Sequence, residues 1–199
     1  MKRRGIVVVA ILVLLVASAI GASQRDIAVA ESVVIGAPPD KVWDYLSDSS
    51  KARDWSVFFH HIDPLPGGPG DGEIGAVRRC YRWPDGEGFR WDEAVLERDR
   101  PRRRLIRVFN CAGWPIARAD ASEYRLRQTY EEVAPGRTRL TFETTLHGPK
   151  TVEHRFYFWL SQWEARRIFR LNLENVAAAI ERGDAYERIH PWEERRAFD

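Results

Sequence analysis

Three patterns of apolar positions divide the chain. The longest periodic one lies near the C-terminus, over residues 153–183, with no proline and no glycine before Gly183. Phe158, Ala165, Phe169, Leu173, Val176 and Ile180 recur at three- and four-residue steps, so they share one face of a predicted helix. Gly183 supplies its stop. At 1.5 Å per residue such a helix is about 45 Å long and needs a large apolar partner surface.

The middle of the chain supplies that surface in segments with the two-residue period of strands. Residues 27–37 are rich in β-branched side chains and end at Pro38-Pro39-Asp40, a helix opening. Val42, Trp43 and Leu46 form the apolar face of this first short helix, and residues 51–61 read as a second helical piece carrying Trp55, Phe58 and Phe59. The breaker-rich stretch 63–75 holds no regular structure and reads as a lid or a plain turn. Five strands are then predicted, over 76–83, 88–98, 103–112, 122–133 and 137–146. Turns at Pro84-Asp85-Gly86, Asp99-Arg100-Pro101 and Ala134-Pro135-Gly136 divide them, and Gly113-Trp114-Pro115 interrupts the pattern. In the last strand Leu140, Phe142, Thr144 and Leu146 point one way and Arg139, Thr141, Glu143 and Thr145 the other, as in a strand buried on one face.

This order fits one α+β architecture. A curved antiparallel sheet of about six strands, with two short helices after the first strand, wraps around the long C-terminal helix. Such a sheet and helix tend to leave an apolar space between them, a concave site for small molecules.

The segment VVIGAPPDKVWDYLSD, followed by Trp55, resembles the opening signature of the START-like, polyketide-cyclase superfamily (SRPBCC, the helix-grip fold). The Glu-Arg-Asp-x-Pro-Arg turn at 97–102 and Glu-Asn-Val-Ala-Ala-Ala-Ile-Glu at 174–181 agree, so the resemblance spans about 27–183. It implies the fold. Members include lipid carriers, hormone receptors, polyketide aromatases and cyclases and stress proteins, and they share no catalytic set that transfers to this chain.

The first pattern is an uninterrupted apolar run. Met1-Lys-Arg-Arg precedes uncharged residues 5–23, and residues 1–24 read as a signal peptide or a single membrane anchor. Ile6 to Val16 followed by Ala17-Ser18-Ala19 suits cleavage, while residues 5–22 reach the lower end of the length of a spanning helix. Either way the domain at 25–183 and a polar extension at 184–199 are expected in the cell envelope, outside the cytoplasm.

Charge changes little. The chain carries 31 Lys and Arg against 29 Asp and Glu. Setting Lys2, Arg3 and Arg4 aside tips the remainder to the acidic side, so no nucleic-acid partner is expected. The run Arg102-Arg103-Arg104 beside a turn reads as a solvated loop. Cys80 and Cys111 fall in strands placed two apart, about 10 Å, beyond disulfide reach, so free thiols are expected, with a bridge left open.

Chemistry is sparse. His60, His61, His147, His154 and His190 have no metal-ligand spacing, and no nucleophile elbow, phosphate loop or dinucleotide fingerprint occurs. No metal and no cofactor are expected. The candidate site is aromatic: Trp55, Phe59, Tyr81, Trp91, Phe109, Tyr124, Phe142, Trp159 and Trp163 are expected to face the sheet–helix interior or its entrance. Arg79, Glu93 and Gln128 are the polar residues on otherwise inward strand faces, and an Arg79–Glu93 pair would satisfy two of them. The expected partner is a hydrophobic small molecule such as a lipid, isoprenoid or polyketide. A cyclase, aromatase or dehydratase using the same space, or an interaction domain filled by its own aromatics, stands as the alternative.

Overall fold

The structure, a computed structural model, describes residues 28–112, 124–146 and 152–183, with only the backbone of residues 146 and 152–160. The apolar leader, the tail at 184–199, the Gly113-Trp114-Pro115 interruption and three of the five histidines' side chains (His147, His154 and His190) lie outside the described residues. Strand β1 (Ala28–Ile35) is followed by helix α1 (Pro39–Ser47), a 3-10 turn (Ser49–Lys51) and the one-turn helix α2 (Ala52–Trp55). Then come β2 (His61–Pro64), β3 (Val77–Tyr81), β4 (Arg90–Asp99), β5 (Arg103–Ala112), β6 (Tyr124–Ala134) and β7 (Arg137–Leu146). The long helix α3 (Val152–Arg182) closes the order.

All seven strands form one antiparallel sheet in the order β1-β7-β6-β5-β4-β3-β2. The fold is the expected one, and the short edge strand β2 brings the expected sheet of about six strands to seven. His61 belongs to β2 rather than to a helix, and the second helical piece already ends at Trp55. Four residues are too short for a periodic signal, and Pro64 is tolerated because β2 is an edge strand. The stretch after β2 is pinned, not a loose lid. Asp71 accepts from the Ser49 backbone N–H and Oγ at 2.8 and 2.9 Å, and Glu73 bonds Arg98.

The core sits between the sheet's concave face and the helices. Ile35, Leu140, Phe142, Tyr130 and Trp43 meet Leu173, Val176, Ala177 and Ile180 of α3, on the face that the periodicity predicts. Trp43 is fully buried and its ring lies 5.0 Å from Tyr130. At about 25 cal/mol per Å², burying a ring of roughly 200 Å² stabilises by up to about 5 kcal/mol, enough to fix α1 against β6. At the far end of α3, the Gly36 N–H donates to Glu181 Oε1 at 2.6 Å. A Cβ at Gly36 would meet that oxygen at 3.2 Å, so the close approach suits glycine.

Arg104 departs from the solvated-loop reading. It is fully buried in β5, donates to the Leu46 carbonyl at 3.1 Å and to Ser47 Oγ, and lies 4.5 Å over the Trp43 ring. The strand's alternation turns it inward, onto the C-terminal end of α1, where a cation meets unsatisfied carbonyls and the negative end of the helix dipole. Burial lowers its pKa.

Candidate functional site

A second apolar cluster lies under β2, β3 and β4: Phe59, Ile62, Cys80 and Phe89, with Phe58, Trp55 and Trp91 against it. Trp91 stands 4.2 Å from Phe59 and 5.3 Å from Phe58, ring to ring. Polar groups hold this cluster in place. Ser56 Oγ accepts from the backbone N–H groups of Phe58 and Phe59. From α3, Asn172 Oδ1 accepts from Val57 N–H at 2.7 Å and Asn175 Nδ2 donates to the Trp55 carbonyl at 3.0 Å. Two asparagines one turn apart therefore clamp the segment that carries Trp55 and Phe59.

Between this cluster and the main core lies a buried ion pair. Arg78 and Glu93 are direct cross-strand neighbours on the concave face, with side chains only 7% and 6% exposed. Arg78 Nε and Nη2 reach Glu93 Oε2 at 2.9 and 2.8 Å, and Trp91 Nε1 donates to Glu93 Oε1 at 3.1 Å. Arg78 Nη1 reaches Ser49 Oγ at 3.4 Å, which links the pair to Asp71. Burial works against the Arg78 charge, but Glu93 outweighs it and the Arg78 pKa rises. On the same face Tyr130 donates to Gln128 Oε1 at 2.9 Å, and burial pushes the Tyr130 phenol up to about 12.

Trp55 joins the two clusters. Its ring lies 6.4 Å from Phe142, which is 5.9 Å from Phe169. Its indole Nε1 is buried and has no hydrogen-bond partner among the described residues. A buried donor left unsatisfied costs about 1–3 kcal/mol, so this N–H among aromatic rings is a ready contact for an acceptor on a bound molecule.

The sequence places Trp55, Phe59, Trp91, Glu93, Gln128 and Phe142 on the concave side, and the structure brings them there. Tyr124 also faces inward, against Val29, on which Ala165 and Phe169 of α3 pack as well. Three expectations are corrected. Arg79 and Tyr81 lie on the convex face: Arg79 bonds Asp92 at 2.6 and 3.0 Å, and Tyr81 stacks on His61 at 4.6 Å. Phe109 is convex as well, beneath Arg107 at 4.5 Å. The expected Arg79–Glu93 pair is replaced by Arg78–Glu93 and Arg79–Asp92. The segment Val77-Arg-Arg-Cys-Tyr has apolar residues at both parities, so alternation alone cannot orient it. The two carboxylates decide, because each face of β4 presents one and each takes an arginine. Trp163 is on α3 and 67% exposed, whereas the Trp159 side chain lies outside the described residues.

Arg78, Ser49, Asp71, Asn172 and Asn175 were not legible as site residues. Arg78 could have been found by asking which arginine shares a face with Glu93. Both cysteines are free, and among the described residues no cluster of His, Cys, Asp or Glu has a metal-binding arrangement.

Residues 26–181 match the family described as polyketide cyclase / dehydrase and lipid transport. The chain belongs to that family. Solved structures of similar fold include the Zhui aromatase/cyclase from Streptomyces, at 19% identity and TM-score 0.60, covering 79% of this chain and 95% of that one. A protein from Thermobifida fusca aligns at 17% identity and TM-score 0.58, over 82% and 98% of the two chains. One from Nitrosospira multiformis aligns at 16% and 0.58, over 80% and 100%. At these identities the likeness shows the shared helix-grip fold. No curated protein matches the chain. The concave face, where the buried pair and the Trp55 indole lie, is thus the inner face of a fold built to hold hydrophobic molecules.

Proposed function

We propose that this domain binds a hydrophobic small molecule, of the lipid, isoprenoid or polyketide kind, between the sheet and α3. The observation that carries the reading is the unsatisfied Trp55 indole N–H among Phe142, Phe169 and the aromatic cluster. An apolar ligand with one acceptor oxygen would satisfy it, and the rings would cover the ligand's body. The Arg78–Glu93–Trp91 network then orients a polar end. Residues 5–22 would keep the domain at a membrane, where such molecules reside. Among the described residues no helix is long and apolar enough to cross one, and the leader is outside them.

The family description and the cyclase neighbour support a second reading, in which Glu93 transfers a proton to the bound molecule. One titration separates the two. A displaceable polyene fatty acid is added to the full chain and to the Glu93→Gln and Trp55→Phe variants. A carrier loses affinity in Trp55→Phe and holds most of it in Glu93→Gln. An enzyme keeps its affinity in Glu93→Gln and loses turnover of a polyketide substrate by orders of magnitude. Absence of saturable binding in every chain contradicts both.

A further inference from the structure

The convex face of the sheet carries more guanidinium groups than carboxylates, and the surplus gathers at one end. Asp92 takes Arg79, Glu97 takes Arg103, Glu143 takes Arg127 and Glu131 takes Arg139. Arg107 and Arg125 have no carboxylate within ion-pair distance among the described residues, yet they are direct cross-strand partners on β5 and β6. The Nε of each is buried without an acceptor, and Phe109 holds the Arg107 guanidinium against the sheet. Like charges directly opposite one another destabilise a sheet. An anion above the two arginines would remove that repulsion.

Their row across the sheet continues through Thr145 to Ala28, the first residue of β1. With strands about 4.8 Å apart, Arg125 lies roughly 10 Å and Arg107 roughly 14 Å from the point where the chain arrives from residues 5–22. Arginine suits a headgroup layer through its bidentate fit to phosphate.

We propose that this end of the convex face docks on an anionic lipid surface, with Arg107 and Arg125 taking phosphate-bearing headgroups. The inference rests on the reading that residues 5–22 hold the chain at a bilayer.

The test uses the full chain with Thr145→Cys, in the same row between Arg125 and Ala28, in phosphatidylcholine vesicles with and without phosphatidylglycerol. A water-soluble maleimide reads the exposure of the new thiol. Labelling slows several-fold on anionic vesicles, and Arg107→Gln/Arg125→Gln, which removes a repulsive pair and keeps the fold, labels at the neutral-vesicle rate on both. Equal rates for the parent chain on the two vesicles, or equal slowing in the double variant, overturn the proposal. Inorganic phosphate that slows labelling as much on neutral vesicles assigns the arginines to a soluble anion and overturns the lipid source. Flotation with neutral vesicles reports the leader separately. Flotation with anionic vesicles only, lost in the double variant, leaves docking standing without the anchor.

Discussion

Arg78 and Glu93 face each other across β3 and β4, share Glu93 Oε2 between two guanidinium nitrogens, and are almost fully out of solvent. A buried pair of this kind contributes little net stability while intact and much instability when halved. Glu93→Ala should cost about 3–5 kcal/mol, because it strands the Arg78 charge. Arg78→Met with Glu93→Leu should fold about as well as the parent. Urea unfolding of the three chains checks this. Equal losses in the single and double variants would show that the pair stabilises in its own right.

The orphan indole makes an opposite prediction at Trp55. Trp55→Phe keeps a ring against Phe142 and removes a donor that nothing accepts. Stability should stay within about 1 kcal/mol of the parent, and ligand affinity should fall by roughly tenfold, the worth of one hydrogen bond. Thermal unfolding and probe titration on one preparation read both.

On the convex face, Asp92 is 3% exposed and holds Arg79 and Asn110. Burial alone would raise its pKa, but the bonds from Arg79 and Asn110 outweigh it and lower the pKa below the usual 3.8. The folded state thus binds this proton less readily than the unfolded chain. Its contribution is present above the unfolded value and is lost as pH falls below that value and through the lower folded one. Asp92→Asn should cost about 1–3 kcal/mol at neutral pH and flatten the stability curve in that acid window. Denaturant midpoints measured across pH check it.

The cysteines should be unreactive in the folded chain. Burial raises the Cys80 thiol well above its ordinary value and raises Cys111 to about 11, so both are protonated at neutral pH. Maleimide at pH 7 should label neither quickly, and urea should expose both at once. Fast labelling of Cys80 would place it outside the concave cluster.

The fold was legible because its elements carry strong periods: the α3 stripe ending at Ile180, the alternation of Leu140 and Phe142, and the Pro39 opening of α1. The site was legible only where an aromatic or a carboxylate settled the face, as with Trp91 and Glu93. It failed on β3, whose five residues alternate ambiguously, and on β2, which is too short to show a period. Arg104 was hidden because the capping of α1 depends on a carbonyl 58 residues away in sequence. Asn172 and Asn175 were hidden because they clamp backbone groups rather than side chains.

Native mass spectrometry of the full chain, extracted into lipid–polymer discs without detergent, reads directly whether the domain holds an apolar molecule. The expected spectrum shows a population carrying one small apolar molecule, stripped by organic solvent and diminished in Trp55→Phe. A chain found only at its own mass, which takes up nothing from a panel of lipids, isoprenoids and polyketides, would contradict the proposed binding.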